Sequence, residues 1–386
     1  MARSASGPIY VTTVVTFCSL YAAQPIQPLF QTEFQLTSIQ ALLFTTLMMA
    51  PLGIAPLFYG YLLEAFPART LVRYALACLG VMEILFSQAN SYILLLTIRA
   101  VQGFLIPAIL TSIMSYISYT SSREQVQQRI AFYIGATILG GFLGRLLSGI
   151  CTDLFGWRLF FFMLGVMLLG SVVPLGAMVR DAKTHYARPR PAEVLAILKN
   201  RSFVMLYSAI FCLFFVFAAL MNFVPFELRR MGAGGGETGV GLIYSGYSMG
   251  ILVALNVRRI LLFFKRVEDA VSIGIVIFAC GTMLFWVGSY PVMFCGMFVF
   301  CGGLFTAHSL LSGYVNTLSD SNRAIANGLY ISFYYTGGTL GSILPQVVYR
   351  NFGWSAFIGF LLLMIGGALL LVRLLRKAVM QKTQSS

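Results

Sequence analysis

Gly140-Gly141-Phe142-Leu143-Gly144 returns as Gly337-Gly338-Thr339-Leu340-Gly341, an offset of 197 residues. Phe155-Gly156-Trp157 returns as Phe352-Gly353-Trp354 at the same offset. Pro28 falls on Pro225 and Gly53 on Gly250. Two of the three tryptophans are therefore one position in two copies. Matches that span a half-chain without a slip in register mean a duplicated unit of nearly two hundred residues.

Composition says what kind of unit was duplicated. The chain is 59% hydrophobic and 10% charged, whereas soluble domains carry about a quarter charged residues. Its apolar runs reach the roughly 20 residues needed to cross a bilayer as helix. In lipid every backbone polar group must be satisfied within its own segment, so these runs are read as helices. The short alternating segments of a β-barrel are missing. The net charge of +14 does not indicate nucleic acid, because Lys and Arg sit in short clusters between apolar runs and form no basic stripe interleaved with aromatics. The seven cysteines lie in or near apolar runs without metal-ligand spacing and read as small buried residues. The N-terminus lacks the cleavage site of a signal peptide.

Twelve spans are predicted, at 8–31, 38–65, 70–89, 91–118, 128–152, 157–179, 202–227, 238–263, 267–289, 290–317, 323–349 and 353–376. They group as an N-terminal six-helix bundle (1–180), a polar, proline-containing linker (181–201) and a C-terminal six-helix bundle with a short tail (202–386). With both ends in the cytoplasm, 20 of the 26 Lys and Arg face that side, and only Arg158, Arg229, Arg230 and Arg350 face out. This is the asymmetry that orients membrane proteins. The expectation is an all-α membrane protein of twelve transmembrane helices in two pseudo-twofold-related bundles. Duplicated apolar bundles usually enclose a path between them, which points to transport.

Pro25, Pro28, Pro51, Pro56, Pro107 and Pro225 lie inside spans, where neighbouring helices or water-lined cavities must satisfy the freed carbonyls. Gly135, Gly140, Gly141, Gly144 and Gly149 give the fifth span a small-residue face. It serves tight helix packing or a sliding contact between moving halves.

Six plus six spans with a basic linker and cytoplasmic ends resemble the major facilitator superfamily, over essentially the whole chain. Three motifs carry the resemblance. Gly60-Tyr61-Leu62-Leu63-Glu64-Ala65-Phe66-Pro67-Ala68-Arg69 is similar to the loop between the second and third spans, with Glu for the usual Asp and Pro67 for the second Gly. The resemblance implies a cytoplasmic gate at Gly60, Glu64 and Arg69, with Arg123 or Arg129 as partners; the alternative is topological anchoring alone. Arg99-Ala100-Val101-Gln102-Gly103 resembles the Arg-x-x-Gln-Gly signature of the fourth span. In proton-coupled relatives such an arginine biases the ionisation of a nearby acid, and Gly103 is grouped with the gating glycines. Gly140-Gly141-x-x-Gly144-Arg145, followed by Asp153 and Gly156-Trp157-Arg158, looks most like the acriflavine-sensitivity branch of efflux carriers, although the exporters' usual Gly-Pro pair is absent. The resemblance places Gly140, Gly141, Gly144 and Arg145 among the gating residues.

Buried charge narrows the coupling candidates. Of the twelve acids only Glu83 lies inside a span. An intramembrane carboxylate is a candidate proton carrier by default, or else the structural partner of Arg99 or Arg145. His308, one of two histidines, sits in the tenth span, where titration near neutral pH suits coupling or substrate contact; a structural hydrogen bond would equally keep it. Substrate contacts are expected from Tyr21, Gln24 and Gln27 beside the prolines of the first span, Gln102, Asn222 in the repeat-related seventh span, and the aromatic wall of Tyr244, Tyr247, Tyr334 and Tyr335. No phosphate-binding loop, hydrolase elbow or zinc-protease helix is present, which argues against an ATP-driven pump or a membrane enzyme.

The reading is a secondary active carrier of the bacterial inner membrane, working by alternating access as a monomer. It needs no cofactor or metal; a proton gradient drives it, and its partners are a small-molecule substrate and the bilayer, not nucleic acid. Proton-coupled efflux of an amphiphilic drug-like compound or metabolite is the leading version. Uptake or exchange of a small polar or anionic solute is the alternative, and a non-transporting membrane sensor the reading from another class.

Overall fold

The computed structural model describes residues 6–122, 125–178, 191–318 and 323–384. Among these residues the secondary structure is entirely helical. The first predicted span is broken into α1 (Ser6–Tyr21) and α2 (Gln27–Glu33). α3 (Ser38–Ala65), α4 (Ala68–Gln88), α5 (Tyr92–Thr120), α6 (Val126–Phe155) and α7 (Trp157–Val172) follow as single helices. The short α8 (Pro191–Lys199) leads into α9 (Arg201–Arg230). The eighth span is α10 (Glu237–Ile243), a 3-10 turn at Tyr244–Tyr247, and α11 (Ser248–Leu262). α12 (Val267–Leu284), α13 (Tyr290–Tyr314), α14 (Arg323–Gly341) and α15 (Gln346–Gln384) complete the chain.

Among the described residues, ten stretches are long and apolar enough to cross a membrane. The two remaining predicted spans are the first and the eleventh. Span 1 loses its helix at Ala22–Ile26, beside Pro25 and Pro28, and span 11 loses it after Gly341, just before Pro345. Proline removes a donor and obstructs the preceding turn, which accounts for breaks at these places.

The chain separates into two compact units, Met1–Arg188 with Leu228–Ser245, and Pro189–Glu227 with Gly246–Ser386. The segment Leu228–Ser245 thus belongs to the second half by sequence and to the first unit by packing. Within unit 1, α6 packs on α1 and α4 on α5 and α7; within unit 2, α12 packs on α13 and α15.

The duplication is repeated in the packing itself. A Cβ on Gly140 would strike the carbonyl oxygen of Val14, and one on Gly337 that of Phe211. A Cβ on Gly144 would lie 2.6 Å from Cys18 Cα, and one on Gly341 would strike the carbonyl of Phe215. Val14 and Phe211, like Cys18 and Phe215, are again 197 residues apart. Both glycine pairs therefore bring two helices of one unit into backbone contact, α6 onto α1 and α14 onto α9. Gly156 and Gly353 turn the chain with φ of 86° and 79°, a left-handed conformation that a side chain disfavours. The tryptophan after each turn is pinned by its indole, Trp157 Nε1 donating to Glu33 Oε2 at 2.8 Å and Trp354 Nε1 to the Phe285 carbonyl at 2.7 Å.

Candidate functional site

The duplicated scaffold carries charges that are not duplicated. The positions 197 residues after Glu83, Arg99 and Arg145 are Cys280, Gly296 and Ser342. Whatever these charges do, they do it in unit 1 alone.

Glu83 on α4 and Arg99 on α5 are both fully buried, with Arg99 NH1 3.7 Å from Glu83 Oε1. Isolated charges there would cost several kcal/mol each, so their partners decide whether both can remain ionised. The Ser19 hydroxyl, from α1, donates to Glu83 Oε1. Arg99 NH1 donates to Gln102 Oε1 at 3.0 Å and the Ser19 carbonyl at 3.4 Å, and lies 2.8 Å from Met48 Sδ. Arg99 Nε and NH2 make no hydrogen bond. Aromatic faces cover the guanidinium instead, its Cζ lying 4.2 Å from the Phe86 centroid and 4.9 Å from that of Phe161. These two rings belong to a packed layer with Phe30, Phe44 and Trp157. Excluding water in this way strengthens the pair's attraction and raises the cost of moving either charge.

Arg145 forms a second cluster in the same unit. Its Nε donates to Gln24 Oε1 at 2.5 Å and its NH1 to the Gly141 carbonyl at 2.6 Å. Its Cζ lies 4.0 Å from the Tyr21 centroid and 5.2 Å from that of Tyr244. The break in span 1 and the 3-10 turn of span 8 both reach this arginine. Interrupted helices beside a buried charge are how membrane carriers build midplane sites.

In unit 2, His308 Nδ1 lies 2.8 Å from the Tyr330 hydroxyl. The His308 ring is 4.7 Å from Tyr334, which stacks on Phe214 at 3.6 Å, and Tyr335 meets Tyr334 edge-on. His308, Tyr334 and Tyr335 are half-buried. Tyr247 packs in a neighbouring cluster with Phe217 and Phe305.

Gln27 is buried and donates to Thr45 Oγ1 at 2.6 Å, joining α2 to α3. Asn222 is buried and donates to the Ala218 carbonyl at 2.7 Å on its own helix. Gly103 allows α5 to approach the backbone of α3 at Leu47 and Met48. The carbonyl of Arg129 accepts from Tyr10. Arg69 is half-buried and Gly60 lies within α3, whereas the Glu64 side chain and residue Arg123 lie outside the described residues. Ser19, Met48, Phe86 and Phe161 escaped the sequence reading. Ser19 is 64 residues from Glu83, and nothing local to it marks the contact.

Two units of apolar helices, each with buried polar or aromatic clusters and interrupted helices, define a polytopic membrane transporter. The model of the Major Facilitator Superfamily matches residues 9–266, and the chain belongs to that superfamily. The inner membrane transport protein YnfM of Escherichia coli is 27% identical over 373 residues, covering 94% of this chain and 88% of its own length. The MFS-type transporter YybF of Bacillus subtilis is 23% identical over 372 residues, covering 94% and 91%. The crystal structure of the nucleoside transporter NupG superposes with a TM-score of 0.75 at 14% identity, covering 97% of this chain and 99% of its own. Fold and relatives alike are those of transporters, not of enzymes.

Proposed function

We propose that this transporter is a proton-coupled secondary carrier of the bacterial inner membrane, exporting an amphiphilic drug-like compound or metabolite by alternating access. The observation that carries the reading is the buried Glu83–Arg99 pair with Ser19 and Gln102 around it. Glu83 is the proton carrier. When its proton arrives, attraction to Arg99 is lost; when it leaves, Arg99 and the Ser19 hydroxyl stabilise the carboxylate. Arg99 thereby sets how readily the acid titrates, and His308 is the second titratable group, facing the aromatic wall of unit 2. That wall, Phe214, Tyr334 and Tyr335, offers flat apolar faces with few polar groups, the chemistry that takes amphiphiles. The protein works as a monomer, with both termini in the cytoplasm, drawing its energy from the proton gradient and using no cofactor.

The second reading is uptake or exchange of a small anion. Arg145 favours it, because a buried guanidinium held by Gln24, Gly141 and two tyrosine faces lies where two helices are interrupted. Purified protein in liposomes, with a pH-sensitive dye inside and an imposed pH gradient, separates the two. Proton movement on adding lipophilic cations or neutral amphiphiles supports the exporter. Movement with small organic anions alone replaces it with the second reading.

A further inference from the structure

Asp153 lies near the outer end of α6, and both of its carboxylate oxygens are engaged by the chain 84 residues on. Glu237 N donates to Oδ1 at 3.0 Å and Thr238 N to Oδ2 at 2.6 Å. The approach depends on Gly234-Gly235-Gly236, with φ of 97°, 68° and 111°. A Cβ on Gly236 would lie 2.9 Å from Asp153 Oδ2. One turn back along α6, a Cβ on Gly149 would strike the Glu237 carbonyl, and one on Gly241 would lie 3.2 Å from the carbonyls of Arg145 and Leu146. α6 and α10 therefore meet backbone to backbone, closed at one end by Asp153 and at the other by Arg145 against Tyr244. The Glu237 side chain turns away to Arg229, at 3.4 Å.

This seam is what assigns Leu228–Ser245 to unit 1 although the segment continues into unit 2 at both ends. Any relative movement of the units must be absorbed at those two joints or at the seam. The joint at Glu227–Leu228 lies inside the continuous helix α9, so bending there breaks helical hydrogen bonds. The seam is held by backbone contact at glycines, two exposed hydrogen bonds and the buried Tyr244 ring beside Arg145, and it can part without breaking a helix. It is the weaker link.

We propose that Asp153 is a positioning residue for transport: it holds Leu228–Ser245 on α6 while the outer mouth is closed, and its release from Glu237 and Thr238 is a step in opening that mouth. The proposal rests on the alternating-access and orientation readings above. Its test places a single reporter, Tyr334→Cys, in the full chain with the native cysteines replaced. A membrane-impermeant maleimide is applied to right-side-out and to inverted vesicles.

Asp153→Ala removes both charge-assisted hydrogen bonds, from Glu237 N and Thr238 N, and is expected to raise labelling from outside by at least about tenfold through the opening equilibrium, and to lower labelling from inside. Gly236→Ala, which displaces the carboxylate and keeps its charge, should act in the same direction and guards against a misfolded first variant. A rise from both faces together means general loosening and overturns the proposal, as does labelling that stays flat from both. The opposite sidedness, up inside and down outside, keeps the latch and overturns the orientation instead.

Discussion

At the scale of single residues, Glu83 and Arg99 hold each other in the membrane, and that makes a specific demand on stability. Removing one partner leaves an uncompensated buried charge, at a cost of about 3–5 kcal/mol, whereas removing both with apolar residues of similar volume is close to neutral. Glu83→Gln and Arg99→Met alone should each lower the unfolding temperature of the detergent-purified protein sharply, and the double variant should recover most of the loss. Additive losses in that cycle would show that the two charges do not depend on each other. Ser19→Ala removes one hydrogen bond to the carboxylate and should cost about 1–3 kcal/mol in the same assay. The sequence made Glu83 and Arg99 legible, because a charge within an apolar span is conspicuous. It left open whether Arg99 or Arg145 was the acid's partner, since that depends on how α4, α5 and α6 rotate about their axes. Ser19 and Met48 were illegible for a plainer reason: small or apolar side chains on a span carry no signal until the span is packed.

At the scale of elements, the glycines decide which helices touch. Gly140 and Gly337 occupy one position of the repeat, each against the backbone of its neighbour in the same unit. Gly140→Val and Gly337→Val should therefore destabilise alike, by about 1–3 kcal/mol each, through forced separation of α6 from α1 and of α14 from α9. Thermal unfolding of the two variants checks this, and a neutral result at one position would mean that the two copies pack differently. Gly156 and Gly353 act through backbone conformation instead, since a Cβ there meets open space. Gly156→Ala and Gly156→Asn should both destabilise by about 1–3 kcal/mol, because at φ 86° and ψ 151° the residue lies outside the αL well that Asn tolerates, in a region essentially reserved for glycine; comparative unfolding measurements check this, and a neutral result for either would show that the turn relaxes. The repeat made this level largely legible, and the same arithmetic of 197 that aligns the glycines aligns the residues they touch. The breaks at Ala22–Ile26 and after Gly341 were not located, because hydropathy continues across them although the helix does not.

At the scale of the whole molecule, two copies of one scaffold have been given different chemistry. Unit 1 holds the buried ion pair and Arg145; unit 2 holds a histidine among aromatic rings. Composition and duplication reveal the class of such a molecule, because crossing lipid imposes them on any sequence. They do not reveal its cargo, which depends on a few side chains whose arrangement only the fold brings together. In the proposed cycle Glu83 carries the coupled proton under the control of Arg99. The direct test is proton flux in liposomes under an imposed pH gradient, with a compound that the unsubstituted protein transports, compared among that protein, Glu83→Gln and Arg99→Lys. Substrate-triggered proton movement should vanish in Glu83→Gln and shift in its pH dependence in Arg99→Lys, with the substrate still bound by both. Proton movement that persists at the original rate in Glu83→Gln would contradict the claim and place the coupling elsewhere.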